Sequence, residues 1–488
     1  MTYDVIVVGS GSAGLAAAIA AAESGAKTLM IEKNPALGGT SGWSVGSITT
    51  SSSPHQRAAD IYDTPEDHFA DMGLFHGERL KGRDNLKLRR LLVDNTPPTF
   101  DWLLSLGLVF YGPVPEPPHI QPRMHNILPN SRMLIHHLSK HARKLGVEIR
   151  VSAPMNGLLT ENGRVTGIVV SGETIAASMG VVLAAGDFSA NKKLKQRYMP
   201  PEVARIGAFN ETSTGDWHDP VTALGGRVLN GDVALGPEIR FRPPEKMTLV
   251  RKLPPWLWLA RLVRWSIYHM PARLLRPMIL GFLTTALMPS LALYRQGALL
   301  INRNGDRFSD EIDSPSDNMP AQPDGEAYVV MDANLADAFQ AWPNFISTAP
   351  GIAYAYLDDY RRNRPDIFFQ ADTLAGLAGK IGMDPQKLEK SVADYNATQA
   401  NGARQPMQNP PFIALGPVCA YIMATDGGLA VNENLQVLGE NDAPIPGLYA
   451  AGSTGQGGLL LEGHGHHLGW GFTSGRIAGR HAATAGQN

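Results

Sequence analysis

The chain opens with an apolar β-branched run, DVIVV at residues 4–8, which meets Gly9-Ser10-Gly11-Ser12-Ala13-Gly14 and passes into the alanine-rich stretch LAAAIAAAESG. This pattern predicts a buried strand, a tight turn and a helix. A second apolar run, KTLMIEK, predicts the next strand and delivers Glu32 and Lys33 at its end. A different pattern fills residues 246–296, where eight Lys or Arg, no Asp or Glu and three of the chain's eight tryptophans are interleaved with apolar residues. Prolines at 254, 255, 271, 277 and 289 cut it into short segments, so it does not predict a spanning helix. It predicts an interfacial surface that places tryptophans at headgroup depth and cations toward anionic lipid, or else a packed subdomain or dimer contact.

Glycines spaced GxGxxG between a strand and a helix bring backbone N–H groups close to a pyrophosphate at the positive end of the helix, so a dinucleotide is expected. Glu32 stands where an acid accepts hydrogen bonds from a ribose 2′-OH, which disfavours a 2′-phosphate. The chain has 488 residues, 43% hydrophobic and 18% charged, enough for two or three domains with a large core. Its formal charge of −2 argues against nucleic-acid binding. A single cysteine, Cys419, excludes an internal disulfide framework and a cysteine-built metal site. No basic n-region precedes the first apolar run, so a cytoplasmic location is expected, at the inner face of the membrane if 246–296 meets lipid.

The stretch Asn34-Pro35-Ala36-Leu37-Gly38-Gly39-Thr40-Ser41, continuing to Gly42, resembles the second glycine motif of flavoproteins and favours FAD over NAD. Further segments resemble, in order, the flavoprotein superfamily of fumarate reductases, succinate dehydrogenase flavoproteins and 3-ketosteroid Δ1-dehydrogenases. They are VVLAAGDFSAN (181–191), Ser-Thr-Gly-Asp (213–216), GALLINRNGDRFSDE (297–311), TLAGLAGKIGMDPQKLEKSVADYN (373–396), TDGGLAVNENLQVLG (425–439) and GLYAAGSTGQGG (447–458). The resemblance implies an α/β fold: a doubly wound Rossmann-type FAD domain from residues 1–240 and 413–488, with residues 241–412 inserted as an α+β cap. It implies cofactor contacts from the residues quoted above and from Ala153, Met155, Ala184, Ala185, Gly186, Asp187, Asn191, Thr214, Gly215, Asp216, Gly452, Ser453, Gly465, His467 and Leu468. No histidine lies in GGTSGWSVGSI, where some relatives attach the flavin, so noncovalent FAD is expected.

The resemblance also directs the glycine-rich segment GGLLLEGHGHHLGW (457–470), followed by a helix over roughly 468–485, at the flavin ring. Local spacing gives its histidines no further ligand, so no metal is expected. Pro315, Glu462 and Ala424 stand near positions where fumarate reductases carry two arginines and a histidine, so a dicarboxylate lacks its cationic clamp here. Pro315 and Leu461 likewise stand near the tyrosine positions of ketosteroid dehydrogenases, and only Gly465 has a counterpart. Glu462 and His464 are therefore the first candidates for proton transfer, followed by Tyr354 in APGIAYAYLDDY and His125 in PRMHNILPNSR, with the Gly465 N–H polarising a carbonyl. The expected activity is dehydrogenation of a CH–CH bond next to the carbonyl of a hydrophobic, 3-ketosteroid-like substrate, with an unidentified electron acceptor. The alternatives are an ene-reductase acting on an enone or unsaturated acid, and a non-catalytic FAD-binding redox module at a membrane.

Overall fold

The structure, a computed structural model, describes residues 2–244, 252–271, 287–349, 353–399 and 404–485, together with Leu274, Arg276, Leu280 and Thr284. The sheet that carries the first motif has a parallel core in the order Pro444–Ala450, Glu173–Leu183, Thr2–Val8, Thr28–Ile31 and Glu148–Arg150. Val5 to Val8 are buried, as a central parallel strand covered on both faces requires. An antiparallel hairpin, Met155–Glu161 with Arg164–Val170, joins the edge of Glu173–Leu183, and Gln436–Leu438 pairs with Pro444–Ala450. The chain thus returns to its first sheet through its last strands.

The helix Ser12–Glu23 packs along the closing helix, His466–Thr484. A Cβ at Gly471 would stand 2.3 Å from Ser12 Oγ, one at Gly475 2.3 Å from the Ala13 carbonyl oxygen, and one at Gly479 2.2 Å from that of Ala17. Glycine every fourth residue makes one face of the closing helix smooth enough for direct backbone contact. The helix begins two residues earlier than the sequence suggests, so His466 and His467 lie in its first turn.

A second sheet of six strands is centred on Phe412–Ile422, which pairs with Gly207–Ala208, Glu238–Phe241, Glu326–Met331 and Phe368–Ala371, while Leu299–Asn302 pairs with Glu326–Met331. The helices Leu374–Ile381 and Pro385–Thr398 pack beside it around Leu377, Leu388, Val392 and Tyr395. The expected boundaries at 240 and 413 run through this sheet, because strands on either side of them pair with Phe412–Ile422. Pairing partners so distant in sequence leave no local mark. A third, small sheet sets Ser47–Thr49 and Phe110–Val114 on either side of Met124–Ile127.

Part of the basic segment 246–296 lies outside the described residues. Its described centre is the helix Leu257–His269, which buries Ala260 and anchors Tyr268 by an O–H donated to the Gly112 carbonyl. Trp256, Trp258 and Trp265 are 52%, 59% and 53% exposed, so the indoles face outward instead of filling a core. Among the described residues no helix is long and apolar enough to cross a membrane.

Candidate active site

The cofactor cradle is built from turns that leave space on one side only. Gly9 has φ +103, and a Cβ there would lie 2.3 Å from the Ala184 carbonyl, while one at Gly14 would lie 1.9 Å from the Gly9 carbonyl. Strand and helix packing therefore dictate these two glycines. Gly11 differs, because its nearest neighbour would be Ser41 Oγ at 3.4 Å. No protein atom demands a glycine at Gly11, and it caps the first helix without a side-chain hydrogen bond. An open turn at a helix N-terminus fits a pyrophosphate, and Gly39 and Gly186 likewise face space with no atom within 4 Å.

Ser10 links the two glycine motifs. Its N–H and hydroxyl both donate to Glu32 Oε2, at 3.1 and 2.6 Å, and its Oγ accepts from the Gly38 N–H at 3.0 Å. Ser41 Oγ accepts from the Ser12 N–H at 3.0 Å, and Thr40 Oγ1 accepts from Asn210. Glu32 Oε1 accepts from the Asn34 N–H, and the Ala153 N–H donates to the Glu32 carbonyl. Lys33 Nζ donates to Thr214 and Asp216, and with Met155 these residues line an open cleft of about 520 Å³. Asn191 donates to the Thr214 carbonyl, and the Gly215 N–H to that of Asp187. Thr454 Oγ1 donates to the Gly186 carbonyl, tying Ala184, Ala185, Gly186 and Asp187 to the turn that carries Gly452 and Ser453. The residues proposed for FAD from both ends of the chain thus form one connected rim.

The closing segment is held against that rim by groups distant in sequence. Thr49 Oγ1 donates to the His464 carbonyl at 2.6 Å, and Gly465 adopts φ +92 with room for no Cβ, since one would lie 2.7 Å from the Thr49 N. His464 donates from its backbone N and from Nδ1 to one oxygen, Glu116 Oε1, at 2.6 and 2.5 Å. That bond to Glu116 raises the imidazole pKa above its ordinary value. The His464 ring stays 59% exposed while Glu116 is buried. Glu238 and Arg240, paired with each other on the second sheet, lie within electrostatic reach of His464. Glu462 accepts from His76 Nδ1 at 3.2 Å.

His467 and Asp426 complete the surroundings of the closing turn. Burial lowers the His467 pKa to about 4, and His467 Nε2 lies 3.9 Å from Asp426 Oδ1. Asp426 accepts from Gln456 Nε2 at 2.7 Å, yet desolvation raises its pKa to about 7. His466 lies against His68 and His119, and all three are buried.

Glu462, His464 and Gly465 therefore share one turn, as the sequence suggests. His125 is fully buried, with Nε2 2.9 Å from Ser53 Oγ, and burial drives its pKa to about 3. Tyr354 packs on Trp342 and Phe345 in the hairpin Ser347–Ala349 with Ala353–Ala355. Sequence reading missed Glu116, His76, Asp426, Arg240, His68 and His119. Only Asp426 carried a signal, through its place in TDGG.

A family model described as an FAD binding domain matches residues 4–254 and 265–460. The chain is similar to an NADH:fumarate oxidoreductase of Klebsiella pneumoniae, 26% identical over 92% of this chain and 44% of that protein. It is also similar to a probable fumarate reductase of Shewanella frigidimarina, 27% identical over 99% of this chain and 75% of that protein. The chain thus spans less than half of the first relative and three quarters of the second. Among solved structures, a flavocytochrome c3 fumarate reductase in its open conformation is 25% identical with a TM-score of 0.74, covering 100% of this chain and 79% of that one. A 3-ketosteroid delta1-dehydrogenase from Sterolibacterium denitrificans, 21% identical with a TM-score of 0.66, covers 99% of this chain and 100% of that one, and shares the fold. With a family model covering most of its length and a cradle shaped for the dinucleotide, the chain belongs to the FAD-binding domain family, within the fumarate reductase and succinate dehydrogenase flavoprotein superfamily, and its cofactor is FAD.

Proposed function

We propose that the protein is an FAD-dependent ene-reductase, which saturates a carbon–carbon double bond conjugated to a carbonyl or carboxyl group, with His464 as the proton donor. FAD, when bound, supplies the two-electron chemistry at that bond. His464 is tied through Nδ1 to Glu116, which leaves Nε2–H to deliver the proton to the α-carbon. Its partner keeps it cationic to higher pH than an ordinary histidine, as a proton donor near neutrality needs. The Gly465 N–H and the amino end of the closing helix stabilise negative charge on the conjugated oxygen. The second sheet acts as the cap, with Glu238 and Arg240 on its site-facing strand.

The observation that carries the reading is the His464–Glu116 pair: an exposed acid on a buried carboxylate, in the turn that enters the closing helix. The two relatives named above bear names of fumarate-reducing enzymes, which favours reduction over the steroid dehydrogenation expected from sequence. Because Pro315, Glu462 and Ala424 replace a dicarboxylate clamp, the substrate is an enone or an unsaturated monocarboxylic acid with a hydrophobic body. Reducing equivalents come from a separate electron donor. The helix Leu257–His269 rests on an anionic membrane through its outward indoles and the exposed Arg261.

The test is anaerobic mixing of photoreduced protein with a panel of enones, unsaturated monocarboxylic acids and fumarate. Return of oxidised-flavin absorbance with an enone or monocarboxylic acid is expected, accompanied by the saturated product. Bleaching of oxidised protein by a saturated ketosteroid, with no reoxidation by any alkene, would overturn the reading in favour of dehydrogenation.

A further inference from the structure

His68, His119 and His466 come from three separate segments and converge below the first turn of the closing helix. One ring nitrogen of each lies within 4.8 Å of the other two, and all three residues are buried. His466 Nδ1–H donates to the Glu462 carbonyl, which leaves its Nε2 lone pair facing His68 Nε2 at 3.2 Å. Two imidazole nitrogens bound to one tetrahedral zinc ion stand about 3.3 Å apart, given bonds of roughly 2.0–2.1 Å. A bare hydrogen bond between these two rings explains the same distance, but it leaves His119 Nε2 buried with no partner among the described residues.

We propose that His68, His119 and His466 bind one divalent ion of the zinc class through three imidazole nitrogens. The surroundings are suited to it. The hydrogen bond from His466 Nδ1 to a backbone carbonyl fixes the tautomer and orientation that a ligating histidine needs. His119 Nδ1 accepts from Arg123 Nη1 at 3.0 Å and lies 3.9 Å from Asp71 Oδ2; binding the ion through Nε2 takes the other tautomer, with Nδ1–H released from Arg123 and donated to that carboxylate. Arg123, the nearest fixed cation, is matched by both Asp63 and Asp71. Glu116 adds a further negative charge that reaches His466, and its Oε2 is buried without a partner among the described residues. One or two oxygens from water or Glu116 complete the coordination.

Such an ion ties the first turn of the closing helix to the helix Pro65–Met72 and to the loop that carries Glu116 and His119. It holds the segment that presents His464 without itself touching the substrate, so it is a positioning metal. The proposal is independent of the reaction direction, since it concerns uptake of the ion.

The test uses untagged, FAD-loaded full-length protein, stripped with a chelator and then equilibrated with Zn²⁺ or Co²⁺. One equivalent of Zn²⁺ is expected to survive gel filtration, and Co²⁺ is expected to give ligand-field bands at wavelengths beyond the flavin absorption. His119→Gln and His68→Gln are each expected to weaken Zn²⁺ binding at least tenfold while keeping the FAD content of the parent. Wild-type protein that takes up neither ion above a buffer blank overturns the proposal without reference to any variant. So does unchanged stoichiometry and affinity in both variants.

Discussion

His464 gives both its backbone N–H and its Nδ1–H to a single oxygen of Glu116, a residue 348 positions away on the loop that joins Phe110–Val114 to Met124–Ile127 in the small three-stranded sheet. The pairing fixes the ring by two contacts and leaves Nε2 as the one nitrogen free to face a ligand. Removing the carboxylate charge by Glu116→Gln lowers the His464 pKa, because the hydrogen bond to Glu116 is the largest cause of its rise. Activity that needs the imidazolium then disappears at lower pH than in the parent, and a pH profile of kcat reads the shift. His464→Ala is expected to reduce turnover about 100-fold or more, the usual contribution of a positioned acid, with FAD retained.

Asp426 gives a second pH dependence of opposite cause. Its folded pKa of about 7 lies above the ordinary 3.8, so the folded protein binds the proton more tightly than the unfolded chain does. Its contribution to stability therefore falls as pH rises from about 4 to 7, by up to about 4 kcal/mol. Asp426→Asn keeps the acceptor for Gln456 and removes the ionisation. The variant is expected to gain stability over the parent progressively across that range, as denaturant titrations at several pH values measure. His125 works the other way: depressed to about 3 from 6.5, it costs stability as pH falls below 6.5.

The contact between the two long helices makes Gly475→Ala a sharp probe. Its new Cβ meets the Ala13 carbonyl, which is backbone and has no rotamer to yield. Overpacking of this kind costs about 1–3 kcal/mol, and because the first helix carries the pyrophosphate turn, FAD affinity is expected to fall as well. A thermal melt and the flavin-to-protein absorbance ratio report the two effects.

Gly11→Ala separates cofactor binding from folding. The added methyl meets Ser41 Oγ at 3.4 Å and the Gly38 carbonyl oxygen at 3.8 Å, both ordinary contacts, so the apoprotein is expected to melt within about 1 °C of the parent, by a stability change within about 0.5 kcal/mol. The same methyl enters the space of the pyrophosphate. FAD titration of the stripped protein is expected to show at least tenfold weaker binding.

The outward indoles predict lipid dependence. Replacing Trp256, Trp258 and Trp265 together by alanine is expected to abolish flotation with vesicles containing phosphatidylserine while leaving the melting temperature within a few degrees, since these side chains are more than half exposed. Equal flotation of the triple variant and the parent would exclude this face as the lipid contact.

The sequence by itself determined the elements whose physics is local. DVIVV, the glycine turn and the alanine-rich helix specify a strand, a phosphate-binding turn and a helix within about 20 residues, because each is fixed by neighbours along the chain. The second glycine motif, the helices at 374–381 and 385–398 and the return of the last strands to the first sheet were readable through the resemblance of those segments to a known flavoprotein superfamily. What only the tertiary structure decided is which groups answer the side chains of GHGHH. Glu116 and the pair Glu238 and Arg240 surround His464, His68 and His119 surround His466, and Asp187 and Asp426 act on or lie near His467. These partners are tens to hundreds of residues away, and hydrogen bonding and electrostatics act through space, so five letters of sequence left the roles of three histidines open until the fold brought their partners to them.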